Sequence, residues 1–238
     1  MTELQFIDCS CPHCEADMSF LEDFAGMVQD CPNCLQNVVV PCDPTGKAGK
    51  LPLPITTPRL ALRRFCGGDW KDLLEIMSDE ALFRYMDGEP SDEDQVLRLL
   101  EQDRELRLAP GFRFFLGIHS QADDRLIGYA QLWFEDETRR HAGLAMVIGQ
   151  RFQGQGYGTE ATQGLLRFGF EGIHLHRLSA AADSRAQACL RMLAKAGLRR
   201  EGEFVKNHWL KGEWANTVYH AILAEECATS AQGQSRSD

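Results

Sequence analysis

A glycine-rich segment restricts the fold of this chain more than any other feature. It runs from Arg151 to Ala161 with the sequence Arg-Phe-Gln-Gly-Gln-Gly-Tyr-Gly-Thr-Glu-Ala. An apolar run of strand length precedes it at 144–148, and apolar positions spaced for one helix face follow it. The segment is therefore predicted to be a strand-to-helix turn. Glycines at such a turn expose the free N–H groups at the helix start, where the helix dipole attracts a phosphate.

Two common phosphate-binding loops do not fit this segment. The dinucleotide pattern G-x-G-x-x-G requires glycine at the position of Thr159, and no Gly-Lys-Ser/Thr closes a nucleoside triphosphate loop. A different anionic ligand is therefore expected. The alternative is a glycine-rich turn with no ligand.

The pattern Arg151-x-x-Gly154-x-Gly156 resembles the signature with which GNAT N-acetyltransferases hold the pyrophosphate of acetyl-CoA. The continuation to Ala161 is similar to the branch that acetylates α-amino groups of ribosomal proteins, and the resemblance extends from about Thr57 to about Glu225. It implies an α+β fold with a mixed, mostly antiparallel central sheet flanked by helices, and acetyl-CoA as cosubstrate. The cofactor-binding residues it implies are Met146, Val147, Ile148, Arg151, Gln153, Gly154, Gln155, Gly156, Tyr157, Gly158 and Thr159.

The order of the predicted elements agrees with that fold. A capping signal at Ser91 to Asp94 begins one helix, and Gly197 ends another. Strands are predicted at 60–65, 112–119, 126–134, 144–148, 177–181, 203–209 and 217–224, with helices at 69–77, 92–108, after the glycine loop and at 186–196. In such folds the strand before the glycine loop splays from its neighbour, which frees the backbone of 146–149 to pair with the pantetheine arm.

The helix at 186–196 departs from the resemblance at the positions that matter for proton transfer. Ala186 stands where Asn is expected, Cys189 where Ser is expected, and Met192 where many relatives carry a Tyr acid. A thiol with an ordinary pKa of about 8.5 is able to donate a proton. Cys189 is therefore the candidate acid, and simple helix packing is the alternative.

A proton acceptor is also needed, because an ammonium substrate must lose a proton before it attacks the thioester. His208 falls where this branch resembles enzymes with a glutamate base, and an ordinary histidine pKa of about 6.5 suits that role. A surface position on the last hairpin is the alternative. The rival cluster is Glu135, Asp136 and Glu137, expected at a strand end that faces the same cleft.

Two cysteine pairs near the N-terminus indicate a second module. The motifs Cys11-Pro12-His13-Cys14 and Cys31-Pro32-Asn33-Cys34 are separated by sixteen residues, a spacing typical of tetrahedral zinc sites. They resemble a zinc ribbon whose four thiolates bind one structural Zn²⁺ and leave no open position for catalysis. Disulfides are the alternative, and Cys9 or Cys42 is able to replace a ligand or bind a second ion.

The charge of the first module restricts its partners. Residues 1–57 contain eight acidic and two basic side chains, a balance of minus six. Because Lys and Arg supply most non-specific affinity for nucleic acids, nucleic acid is not an expected partner. Docking of a substrate protein is expected instead.

The chain of 238 residues is divided into four parts on these grounds. A zinc-ribbon-like module at 1–42 is followed by a Pro/Gly linker at 43–57, an acetyltransferase domain at 58–226 and a polar, disordered tail at 227–238. No apolar run approaches the roughly 20 residues of a membrane span. The N-terminus has no basic and apolar leader, so we expect a cytoplasmic protein.

Three functions remain open at this level. The first is acetylation of a primary amine, a protein N-terminus above all. The second is acetylation of a small cationic amine such as a polyamine or an antibiotic, which the net charge of −10 suits. The third is a CoA-binding sensor without turnover, suggested by Ala186, Cys189 and the missing Tyr.

Overall fold

The computed structural model describes residues 6–21, 24–25, 28–41, 49–102 and 113–227. Two short antiparallel hairpins form the N-terminal part: β1 (Phe6–Ser10) with β2 (Asp17–Leu21), and β3 (Val28–Asp30) with β4 (Asn37–Val39). The predicted linker lies outside the described residues at 43–48, while Ile55–Thr56 within it form strand β5. The predicted disordered tail lies outside them from residue 228 onward.

One eight-stranded sheet organises the rest of the described chain. Its order is β11-β12-β10-β9-β8-β7-β6-β5, with only β9 and β10 parallel among neighbouring strands of the described sheet. The remaining strands are β6 (Leu60–Arg63), β7 (Phe114–Ser120), β8 (Leu126–Phe134), β9 (His141–Ile148), β10 (Arg177–Asp183), β11 (Arg199–Leu210) and β12 (Glu213–Leu223). This arrangement confirms the expected mixed, mostly antiparallel sheet.

Helices cover both faces of the sheet. Alternate residues of a strand point to opposite faces, and here one set packs with α1 (Trp70–Met77) and α2 (Glu93–Gln102), the other with α3 (Tyr157–Arg167) and α4 (Gln187–Ala196). Tyr129 and Val147 belong to the α1 side, and Leu132 and Leu144 to the α3 side. The helix predicted at 92–108 is described as far as Gln102.

The helix ends follow local capping rules with one correction. The N–H of Asp92 donates to Gln95 Oε1 and the N–H of Gln95 donates to Asp92 Oδ1, both at 2.8 Å. This reciprocal pair makes Asp92 the N-cap of α2, one residue later than Ser91, with which the predicted signal begins. Gly197 ends α4 in the left-handed region, with φ of 107°, as predicted.

The second hairpin of the N-terminal part packs directly on the sheet domain. Val28 is buried in the main core. The Arg139 guanidinium, in the turn between β8 and β9, donates to the Val28 carbonyl at 3.1 Å and to the Asp30 carboxylate at 3.0 Å. An apolar side chain and a charged hydrogen bond therefore fix this hairpin to the domain that follows it.

Candidate functional site

The glycine loop lies between β9 and α3, as the sequence predicts. A short 3₁₀ turn at Gln150–Phe152 follows β9. Gly154 and Gly156 then adopt positive φ values of 76° and 84°, a conformation that side chains with a Cβ rarely adopt. Gly156 is the N-cap of α3, and within the described chain no side chain caps that helix.

The N–H groups of this loop face solvent. Residues 153–156 are exposed and residues 157–159 are half-buried. Within the described ranges, no carbonyl or side chain accepts a hydrogen bond from the N–H groups of 154–159. A row of free main-chain donors at a helix N-terminus is a site for an anion.

Arg59 adds positive charge beside the loop. Its guanidinium lies 4.4 Å from the centre of the Tyr157 ring and donates to the Gln155 carbonyl at 3.1 Å. Glu160 in α3 holds Arg59 at 2.6 Å and accepts a hydrogen bond from Thr57 at 2.7 Å. Partial burial of Glu160 would raise its pKa, but these hydrogen bonds lower it below its ordinary value.

The long polar side chains predicted to bind the cofactor are used within the protein. Arg151 forms an ion pair of 2.6 Å with Glu75 of α1. The Gln153 amide donates to the Ile148 carbonyl at 3.0 Å, and the Gln155 amide donates to the Arg151 carbonyl at 3.2 Å. The loop therefore offers its main chain to a ligand.

A gap opens between β9 and β10 next to the loop. Their parallel pairing ends at Gly143 and Ser179, while β9 stays paired with β8 as far as Ile148. The N–H of Gly149 donates to the Ile127 carbonyl at 2.9 Å. Because peptide groups in an antiparallel ladder alternate between the two sides of the strand, those of Met146 and Ile148 face the gap. Those of Val147 face β8, so Val147 offers only its side chain, on the α1 side.

Helix α4 lies beside the start of α3. A Cβ placed on Gly158 would be 3.3 Å from Met192 Cγ. Cys189 lies one turn before Met192 on the same helix face, packs against the main core, and has its pKa raised by burial. The thiol is therefore protonated at neutral pH, as a proton donor must be. Ala186 begins α4 without a side-chain cap from the described residues.

His208 does not stand alone on the hairpin of β11 and β12. Its Nε2 lies 2.9 Å from Asp87 Oδ1 in the segment between α1 and α2. Nearby, Asp183 at the end of β10 is buried and bonded to Arg185, whose hydrogen bond lowers the pKa of Asp183, and Arg185 also pairs with Glu213.

Glu135, Asp136 and Glu137 lie away from the loop end of the gap, although the Glu135 carboxylate reaches back over Gly143, the last residue of β9 that pairs with β10. They lie in the turn before β9, at the end where β9 and β10 are still paired. Trp133 donates to Glu135 and Thr138 donates to Asp136, both at 2.8 Å. The gap opens at the opposite end of β9.

The four predicted metal ligands meet at the tips of the two N-terminal hairpins. The sulfur atoms of Cys11, Cys14, Cys31 and Cys34 all lie within 4.8 Å of one another. Two of the separations are 3.8 and 3.7 Å, and a tetrahedral ion with Zn–S bonds of about 2.3 Å requires sulfur separations of about 3.8 Å. The donor set and its size therefore fit zinc.

Hydrogen bonds to sulfur support two of these thiols. The His13 N–H donates to Cys11 Sγ, and the Asn33 amide donates to Cys14 Sγ, both at 3.4 Å. The bond from Asn33 lowers the pKa of Cys14 to about 6. Among the described cysteines, Cys9 is outside the cluster and packs beside it, where burial raises its pKa. Cys42 lies outside the described residues.

Comparison with known proteins places the chain in a family. Residues 59–199 match the family model described as "Acetyltransferase (GNAT) domain", so the chain belongs to the GNAT N-acetyltransferases. It is therefore an acyltransferase with acetyl-CoA as cosubstrate. None of the helices in the described ranges has the length and apolar composition needed to cross a bilayer.

Individual relatives differ in what they act on. The uncharacterized N-acetyltransferase YnaD of Bacillus subtilis is 31% identical over 174 residues, which cover 72% of this chain and 98% of that protein. The [ribosomal protein uS5]-alanine N-acetyltransferase of Escherichia coli is 29% identical over 118 residues, 49% of this chain and 60% of its own. The structure of spermidine N-acetyltransferase from Vibrio cholerae with CoA and spermine shares the fold, with a TM-score of 0.63 at 18% identity, over 72% of this chain and 99% of that one.

Proposed function

We propose that this chain transfers acetyl from acetyl-CoA to the α-amino group of a polypeptide. The observation that carries the proposal is the row of free N–H groups at 154–159, which opens beside the gap between β9 and β10. The loop binds the pyrophosphate, with Arg59 adding charge. The peptide groups of Met146 and the N–H of Ile148 pair with the pantetheine arm, while the Ile148 carbonyl accepts from Gln153. The likeness to the Escherichia coli enzyme supports a polypeptide acceptor.

Two side chains handle protons in this proposal. Acetyl-CoA supplies an activated acyl thioester. His208 accepts the proton that an ammonium acceptor must lose, and the Asp87 carboxylate, 2.9 Å from His208 Nε2, stabilises the imidazolium that forms. Cys189 donates a proton to the departing thiolate, because burial keeps its own thiol neutral.

We also propose that Cys11, Cys14, Cys31 and Cys34 bind one structural Zn²⁺. The support is the close approach of all four sulfur atoms, within 4.8 Å. Four thiolates complete a tetrahedral site, so the ion stabilises the hairpins and takes no part in acetyl transfer.

A polyamine is the second acceptor that the structure favours. Asp87 and Glu89, in the segment between α1 and α2, have side chains 79% and 80% exposed. Exposed carboxylates close to the proposed base attract a polycation. Lys211 lies 3.9 Å from Glu89 and His208 lies 2.9 Å from Asp87, which weakens that attraction.

Thiol release from acetyl-CoA tests the proposal. We expect CoA production with a peptide that begins with alanine, and a lower kcat/KM with spermidine. Cys189→Ala and His208→Gln should each lower kcat by about 100-fold, which is the lower end of the range for loss of a general acid or base. Cys189→Ser, which restores a donor, should recover part of the rate. CoA binding without CoA production for any amine would contradict the proposal and favour a sensor.

A further inference from the structure

Among the described residues, no helix covers one part of the sheet face on the α1 side. Ala145 of β9 lies opposite Gln131 of β8. The pairing of β9 with β10 ends at Gly143 and Ser179, and two residues further along each strand Ala145 faces Ala181 across the gap. Ala181 lies opposite Tyr219, and Phe204 lies opposite Thr217. Cross-strand partners share a face, so these side chains form one continuous surface. We call it the acceptor groove: Gln131, Ala145, Ala181, Phe204 and Tyr219.

The exposure of these residues shows that the groove is open. Ala181 is exposed although β10 has a neighbour on each side. Tyr219 and Phe204 are 41% and 55% exposed, and their rings meet edge to face with centroids 5.1 Å apart. By contrast, Tyr129 and Val147, on the same face under α1 and α2, are 2% and 5% exposed. The helices therefore cover one end of this face and leave the groove open to solvent.

The groove is continuous with the gap that the proposed function assigns to the pantetheine arm. Its floor on either side of the gap consists of the methyl groups of Ala145 and Ala181, which let an extended main chain approach the sheet closely. Its outer wall is the Phe204–Tyr219 pair. An acceptor whose amine reaches the gap therefore places its next residues against these two rings.

The charges around the groove favour a peptide over a polycation. Arg177 pairs with Glu201, and Asp183 with Arg185. At the Gln131 end, Arg113 donates to Gln131 and lies over the Trp133 ring, whose N–H donates to Glu135. Each of these carboxylates therefore has a cationic side chain in its vicinity. Exposed aromatic rings next to ion-paired charges suit an apolar side chain. Such a surface attracts a polyamine less strongly than unpaired carboxylates would.

We infer that the Phe204–Tyr219 pair selects acceptor polypeptides with an apolar residue directly after the acetylated one. This inference rests on the proposed function and adds the specificity of the same site. The two rings contact the second and third residues of the acceptor, while Ala145 and Ala181 lie beneath its main chain. Bulk at Ala181 blocks the groove.

The test compares two hexapeptides that begin with alanine, one with leucine and one with aspartate at the second and third positions. For the leucine peptide we expect Phe204→Ser and Tyr219→Ser to raise KM by about 10-fold each, as for loss of an aromatic contact. Ala181→Phe should raise it further. The two serine variants should affect the aspartate peptide, ethylamine and CoA affinity little, whereas Ala181→Phe should raise the KM of both peptides because it blocks the path of the main chain.

Trp214→Ser is the matched control. Trp214 is also an aromatic residue of β12, 57% exposed. It is separated from Tyr219 by an odd number of positions in a strand, so it points to the opposite face. Its replacement should leave the KM of the leucine peptide unchanged. Equal effects of Trp214→Ser and Tyr219→Ser would overturn the inference.

Calorimetry separates the inference from the proposed function. Binding of the leucine peptide to the CoA-loaded protein requires the groove and no turnover, so it is expected even if acetylation fails. Absence of that binding would overturn the inference while leaving acetylation of other amines intact. The inference would also be overturned if the protein were a dimer that Phe204→Ser dissociates while the peptide KM stays unchanged. In that case the surface would be a contact between two copies of the chain.

Discussion

The cysteine hairpins and the glycine loop are both short turns suited to an ion, but they differ in which atoms they offer. The hairpins offer side-chain sulfur atoms at 3.7 and 3.8 Å from one another, a separation suited to a cation. The loop offers main-chain N–H groups at the start of α3, a geometry suited to an anion. The first site is specified by residue identity, and the second by backbone conformation.

This difference predicts how each site responds to substitution. A ligand sulfur has no substitute, so one change removes the metal site. In the loop, many side chains are tolerated provided that the backbone keeps its positive φ values and the space in front of the N–H groups stays free. The largest expected effect therefore concerns the hairpins.

Cys31→Ser should abolish metal binding. Cys31 is fully buried within the cluster, and structural zinc contributes on the order of 10 kcal/mol to the folding of small zinc modules. Metal analysis of the purified protein should give one zinc per chain for the wild type and none for the variant. Cys66→Ser, at an exposed cysteine outside the cluster, should retain one. Two ions per wild-type chain would contradict a single site and implicate Cys9 or Cys42.

Gly156→Asp should lower CoA affinity by at least about 100-fold. The new carboxylate occupies the space of the diphosphate and repels its negative charge. Calorimetric titration with CoA measures this effect. Gly212→Asp is the matched control, since Gly212 has a similar φ of 91° and open space around it, but lies in the last hairpin. Equal losses of affinity in the two variants would show that backbone strain, and not the anion site, explains the result.

Glu160→Gln should have the smallest effect, about 1 kcal/mol of stability. The pKa of Glu160 is lowered in the folded protein, so its contribution is complete above its unfolded pKa and is lost as the pH falls through the lower folded value. Thermal unfolding should therefore show a smaller stability difference between wild type and variant at pH 3 than at pH 7. Glu80 is exposed, so the stability difference between Glu80→Gln and wild type should not change with pH. If the stability of Glu160→Gln followed the same pH dependence as that of the wild type, the role assigned to Glu160 would be refuted.

The sequence predicted the parts of both sites that depend on local spacing. The cysteine pairs indicated their own cluster, and the glycines indicated a strand-to-helix turn. It did not reveal the contacts of Glu160 with Arg59 or of His208 with Asp87, because each joins residues that are far apart in the chain and follow no common period. The Phe204–Tyr219 surface was also missed, since only the strand register shows that these rings share a face with Ala181.

The orientations of Arg151 and Val147 are set by the fold and were not specified by the motif. Arg151 has the residue type that pairs with phosphate, but Glu75 of α1 lies 2.6 Å away and neutralises it. Val147 lies in the predicted strand segment, but alternation turns its peptide groups toward β8. A linear motif identifies the binding segment. The direction in which each side chain and peptide group points depends on the folded structure.

Anchoring of the N-terminal hairpin through Val28 and Arg139 has a consequence for dissecting the molecule. Deleting residues 1–42 would uncover an apolar patch on the sheet domain and remove the acceptors of the Arg139 guanidinium. A shortened protein should therefore aggregate more readily than the full chain. We therefore expect the two parts to unfold together, and biochemical work is best done on the intact polypeptide.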